Sequence, residues 1–425
     1  MPPTTIAYLI VLAFSMAGSL LYHPIIGMIA YIVIYNIGPV KKWWGEIPYH
    51  YGIRDSQFMY VTVMLSYFIK PVKTNLSLTV LDRQEWLLIL YLCLLWFSTI
   101  IGLDLGQDTY NVFKITKVVV ILILASHIIT DIKLFEMFWW SLILCNIYMG
   151  YNAFFASDWM FSNNRLDIGI GSVDFGEANF LAAHMVMMLP ITGVMLIRSG
   201  NIGKLICLVN AVLTVNTLAM LRSRGGFLAM VVSLGFVIFL AEKKYRLLII
   251  AGTAFGIIGF FALTDVHFWD RISTISVEEQ DRDSSAQGRL ALWNIAWEMA
   301  KEHPLGIGAD NYKPLMGSYG TERHNRDTHS TYFKCLAEIG FHGLLVLGLL
   351  IYNCFNILFQ IRKIPIRNAQ SHIFRLYSFG LIIALISYLT AGIFISMNYI
   401  EEFYWMLMMP LFLKRSIITA NAQEQ

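Results

Sequence analysis

The 425-residue chain is 57% hydrophobic and only 14% charged, against about 25% charged residues in an ordinary soluble domain. That deficit excludes a soluble globular enzyme and makes lipid the solvent for most of the chain. The net charge is +3, and no basic stripe with interleaved aromatics accompanies it, which excludes nucleic acid as a partner.

A helix needs about 20 apolar residues to cross the hydrocarbon core. Apolar runs lie near 5–21, 24–40, 57–70, 86–102, 113–130, 134–155, 178–198, 202–221, 225–241, 246–264, 334–360, 373–396 and 402–414. They predict an all-α, polytopic membrane helix bundle of 13 spans, or 12 because the third and last runs are short. The first run follows Met-Pro-Pro-Thr-Thr, with no basic segment and no small-residue cleavage site, so it reads as a retained span. Eleven Trp, 21 Tyr and 28 Phe fit two interfacial aromatic belts, with membrane lipids as the surrounding partner.

Lys and Arg in the connections give the orientation. With Lys243-Lys244-Tyr245-Arg246 in the cytoplasm, Arg198, Lys204, Arg362, Lys363, Arg367, Arg375, Lys133, Lys414 and Arg415 fall on the same side. The 265–333 segment is then extracytoplasmic. The chain divides into a first bundle part (1–264), this loop (265–333) and a last bundle part (334–425).

The loop is the one long polar stretch. It carries an acidic run, Glu278-Glu279-Gln280-Asp281-Arg282-Asp283. Asp281-Arg282-Asp283 is a DxD pattern of the kind that holds a divalent ion, but in so acidic a run it reads as a solvated loop, and no metal ligand set is assigned. Ser284-Ser285 can cap a helix beginning near Gly288. Leu290, Trp293, Trp297 and Ala300 fall on one face of it, an amphipathic helix suited to the membrane interface or the top of the bundle. His303-Pro304 ends it, and Gly306 and Gly308 make a turn. The five cysteines show no CxxC spacing and read as small buried hydrophobes.

Three basic features face outward. Arg222-Ser223-Arg224-Gly225-Gly226 joins the eighth and ninth runs. From Arg224 to the next charged boundary is about 27 Å of helix, so Arg224 barely clears the lipid. It either binds an anion, or snorkels to headgroups or pairs with an acid of the long loop. Arg289, in the first turn expected for the loop helix, either completes an anion site at the helix start or pairs with Asp283 or Glu279. Arg323-His324-Asn325-Arg326-Asp327-Thr328-His329-Ser330 precedes the next span, and two histidines there suit acid–base chemistry. His127 and His184, inside apolar runs, read as satisfied interior histidines.

Ser285-Ala286-Gln287-Gly288-Arg289, Trp293, Trp297 and His303-Pro304-Leu305-Gly306-Ile307-Gly308 resemble the loop of bacterial O-antigen ligases and related polysaccharide polymerases. His329-Ser330-Thr331-Tyr332-Phe333, Leu336, Glu338, Gly340, Phe341 and Gly343 continue the resemblance, as do Gly176-Glu177-Ala178-Asn179-Phe180-Leu181-Ala182, Leu189-Pro190 and Ser223-Arg224-Gly225. The flavour is most similar to the O-glycosylation ligases associated with exosortase systems. The resemblance implies a metal-independent glycosyltransferase without cofactor, in the bacterial inner membrane with a periplasmic active site. Its donor would be an undecaprenyl-diphosphate-linked glycan, and its acceptor a lipid, protein or glycan hydroxyl. Arg224 and Arg289 would hold the diphosphate and His329 would activate the acceptor. Arg222, His324, Arg326 and Asn179 are the accompanying substrate contacts, with His324-Asn325 a competing candidate for the histidine role. A polymerase joining repeat units is the alternative within the family. A secondary transporter is the alternative outside it, disfavoured because the span centres are almost free of charge.

Overall fold

A computed structural model describes residues 2–69, 80–103, 109–162, 164–167, 169–266, 268–269, 284–319, 325–366 and 369–423. The protein is helical almost throughout. Among the described residues, the single strand pair is a two-residue hairpin, Phe161–Ser162 against Arg165–Leu166. The helices are α1 (Pro3–Leu21), α2 (Pro24–Ile37), α3 (Trp43–His50), α4 (Asp55–Ile69), α5 (Arg83–Ile101), α6 (Tyr110–Ile128), α7 (Ile132–Phe154), α8 (Ala178–Arg198), α9 (Asn201–Leu221), α10 (Arg224–Leu240) and α11 (Lys243–Leu263). After the loop's acidic part come α12 (Ser284–Glu302), α13 (Tyr312–Leu315), α14 (Thr331–Arg362), α15 (Ala369–Ala391) and α16 (Glu401–Gln423).

Among the described residues, 10 helices are long and apolar enough to cross a membrane, fewer than the 12 or 13 expected. The shortfall has a physical cause in each of the remaining runs. α4 has 15 residues and α10 has 17, about 23 and 26 Å of helix. α16 opens on Glu401-Glu402 and reaches Lys414-Arg415 after one apolar stretch. All three nonetheless pack within the bundle.

The bundle is graded from an exposed periphery to a crowded centre. α8 and α15 pack against each other and are buried along much of their length. α11, at the edge, buries only Phe260. The cysteines are free; four are buried, but Cys93 points outward, against the expectation for that one.

One end of the bundle carries the loop. The other gathers Arg198 with Glu136, Arg375 with Glu242, Lys414 with Asp82 and Arg415 with Glu85. These basic residues are among those grouped together from the connections.

α14 has 32 residues, about 48 Å of helix and far more than the membrane core needs. It is broken at Gly340, whose φ of 82° leaves the helical region. The half beyond the break, residues 341–362, is a span of about 33 Å. The half before it, Thr331–Ile339, belongs to the loop.

Candidate functional site

The glycines quoted from the loop explain how it is attached. The break at Gly340 frees the carbonyls of Ala337 and Glu338, which accept from Ile307 N and Gly308 N at 3.0 Å each. Phe341 N donates back to Pro304 O at 3.1 Å. Only glycine fits this seam. A Cβ on Gly306 would sit 2.5 Å from Glu338 O, and one on Gly340 2.4 Å from Pro304 O, both at positive φ. Leu292, Ala296, Met299, Ile307, Tyr312 and Met316 then form a small core that includes Ala337 of α14.

The α9–α10 hairpin is built with the same economy. Arg222 ends α9 in the left-handed conformation, φ 43°. Ser223 caps α10 by accepting from Gly226 N at 3.2 Å and donates to Asn179 Oδ1 at 2.9 Å. Arg165 also donates to that oxygen at 2.7 Å. Gly225 lies flat on Phe394, where a Cβ would come within 3.1 Å of the ring-bearing side chain. Arg289 reaches the same side chain, its guanidinium 5.8 Å from the Phe394 ring centroid. The hairpin that begins with Arg224 and the helix that carries Arg289 therefore meet at one residue of the α15–α16 connection.

Residues 209–348, about a third of the chain, match the family model described as O-antigen ligase. No curated protein matches the chain.

The matched segment contains Arg222, Arg224, Arg289, Arg326 and His329. His329 stands just before α14 with a left-handed backbone, φ 48°, a conformation that costs a non-glycine residue of order 1–3 kcal/mol and persists only when its surroundings fix it. They do. Thr328 Oγ1 meets Ser330 O at 2.9 Å and Ser396 Oγ at 2.9 Å. Thr331 Oγ1 donates to Ile395 O at 2.7 Å and accepts from Met397 N at 3.0 Å. Trp293, stacked on Phe333 at 5.1 Å, donates to Thr328 O at 3.1 Å.

Burial holds the His329 imidazole below its usual proton affinity, and nearby Arg289, Lys313 and Arg326 add to this while Asp327 partly opposes it. The ring is thus neutral near pH 7, the form that can take a proton. Burial alone would raise the Asp327 carboxyl, but Lys334, Lys313 and the hydrogen bonds of Lys334 and Ser396 keep it below its usual range.

Several expectations change here. The loop helix starts at Ser284, not near Gly288, so Arg289 is its sixth residue rather than part of its first turn. Its buried face is Leu292, Ile295, Ala296, Met299 and Ala300, whereas Leu290 and Trp297 are exposed. The expected face was right for Ala300 but rotated outward for those two, because the helix packs on α14 by its small and aliphatic residues. Trp297 instead meets Phe341 edge-on at 5.8 Å.

Asp265, an acid of the long loop, holds the Arg222 guanidinium. Arg326 is exposed. His324, Glu279, Asp281 and Asp283 lie outside the described residues. Among the described residues, no three His, Cys, Asp or Glu side chains are placed to hold a metal ion. His184 and His127 are interior, as read, and each has a carboxylate partner, Glu402 and Glu85.

Sequence reasoning missed Phe394, Asp310, Tyr399 and Lys334. Only Lys334 left a signal: a lysine opening an apolar run, with Glu338 four residues on along one helical face.

Proposed function

We propose that this protein is an O-antigen-ligase-like enzyme that transfers a glycan from a polyprenyl diphosphate, undecaprenyl diphosphate in a bacterial inner membrane, to an acceptor hydroxyl on the periplasmic side. What carries the reading is the meeting of the Arg224 hairpin and Arg289 at Phe394, with a half-buried imidazole held in Arg289's electrostatic reach.

In this reading the acceptor oxygen attacks the anomeric carbon of the donor sugar. Its proton passes to the neutral His329 ring. The bond from that carbon to the diphosphate breaks, and the electron pair leaves with the diphosphate. Arg289 and Arg224 meet the charge that develops there, through the planar fork that suits phosphate oxygens. Arg326 at the exposed rim, with Arg222 and Asn179 beside the hairpin, borders the donor. The acceptor is a lipid-linked core sugar, a protein hydroxyl or a glycan end.

The test uses the full-length protein in lipid vesicles with a polyprenyl-diphosphate-linked oligosaccharide. Arg289→Ala and His329→Ala should each abolish transfer while the protein still inserts. Full activity in both would sink the site. Chelator should leave transfer unchanged; a loss restored by a divalent ion would bring back Asp281 and Asp283. In cells, loss of a ligase leaves long lipid-linked polymer, whereas loss of a polymerase leaves single repeats.

A further inference from the structure

Lys334 is an unexpected residue for its place. It lies in the first turns of α14, where the helix dipole disfavours a cation, and its side chain is only 5% exposed. A lysine is buried there only if carboxylates surround it. Three do, each from a different segment. Asp327, beside His329, accepts from Lys334 Nζ at 3.2 Å. Asp310, in the turn after the glycine seam, lies at 3.9 Å, and Glu338, one turn along α14, at 4.0 Å. The ammonium also sits 5.1 Å from the Tyr399 ring centroid.

The surrounding partners are themselves fixed. Tyr399 donates its hydroxyl to Glu338 at 2.6 Å, and Asn111 donates to Asp310 at 2.5 Å. The other oxygen of Asp327 accepts from Thr328 N at 2.7 Å and Ser396 at 3.0 Å. Lys334 is thus held among three carboxylates that are themselves tied to other segments.

We propose that Lys334 is a positioning residue: it clamps Asp327, and through Asp327 the left-handed backbone of His329, to the loop turn at Asp310 and to Glu338. It touches neither donor nor acceptor. The inference rests on the glycosyl-transfer reading for its effect on rate, but not for its effect on His329. The charged groups facing His329 are Asp327 and Arg326 on its own segment, Lys313 on α13 and Arg289 on α12. Lys334 acts on it through the first of these.

Two readouts test this in the full-length protein in lipid vesicles. One is kcat and KM for transfer. The other is the pH midpoint for carbethoxylation of His329 by diethyl pyrocarbonate, which attacks only the neutral ring, followed by peptide mass spectrometry. In Lys334→Met, kcat should fall roughly tenfold to a hundredfold, as misplacement of a catalytic group does, with KM nearly unchanged. The His329 midpoint should rise, because Asp327 loses its main counter-charge. Lys334→Arg should restore part of both.

If Lys334→Met does not insert, Asp327→Asn carries the test: kcat falls and the midpoint moves down instead of up. An unmoved midpoint, an unchanged kcat, or a change confined to KM would each overturn the proposal. If the unaltered protein transfers no glycan, the functional reading fails, and the midpoint alone still decides the link between Lys334 and His329.

Discussion

At the end away from the loop, Arg415 meets Glu85 at 2.7 Å and Ser126 at 2.8 Å, all of them buried, and Ser126 donates to the same carboxylate at 2.5 Å. At the loop end, His329 faces three cations and one carboxylate from a strained backbone, with Arg289 over an aromatic ring and Arg326 in solvent. Both places bring charge into an apolar bundle. The first neutralises it pair by pair and ties α5 to α16. The second sets three cations and one carboxylate from several segments around a half-buried imidazole. A buried pair that is fully satisfied is a fastener; on the proposed reading, the loop end is where the donor's diphosphate meets those cations.

That contrast can be broken from either side. His329→Ala should have the largest effect, lowering the transfer rate about 10²- to 10⁴-fold with little change in thermal unfolding. A variant that transfers at the original rate would make the loop end a second fastener. Glu85→Gln should do the reverse. It leaves Arg415 buried without its partner, at a cost of about 3–5 kcal/mol, seen as a lower unfolding temperature, with the rate per folded molecule preserved. The double variant Glu85→Gln, Arg415→Met should recover most of the stability.

Gly340→Ala forces a side chain into positive φ against Pro304 O, and a loss of about 1–3 kcal/mol is expected, with a partial loss of rate because the seam carries the loop. The pH dependence should follow His329. Its folded-state proton affinity lies below the ordinary value near 6.5, so activity should persist as pH falls through 6.5 and decline only at lower pH. Lys313→Gln removes one of the cations that disfavour imidazolium and should shift that acid limb upward. Arg222→Gln should have the smallest effect on stability, under about 1 kcal/mol, since its partner Asp265 is half exposed.

The bundle could be read from the chain because lipid demands long apolar runs. α4, α10 and α16 were seen as runs even though they are short or flanked by charge. The motif glycines were visible too, but their reason was not. That Gly306 and Gly340 face each other depends on α14 breaking inside an apolar stretch, which nothing in its hydrophobicity announces. Arg289 and His329 stood out as cations and imidazole in a polar loop. Phe394, where Arg289 meets the Arg224 hairpin, is one phenylalanine among 28, more than 100 residues beyond Arg289 in the chain. Asp310 and Tyr399 likewise gain meaning only when three segments close around Lys334. The start of the loop helix was misjudged because Ser284-Ser285 looked like a cap, whereas both residues are helical.

The seam at Gly340 has a consequence for how large substrates enter. Residues 304–308 are laced to α14 by three backbone hydrogen bonds at the membrane boundary, and each group left unpaired in a low-dielectric setting costs several kcal/mol. That segment therefore does not swing aside as a door. On the proposed reading, a lipid-tailed donor slides in sideways, along the membrane plane between helices, while the polar acceptor descends from above.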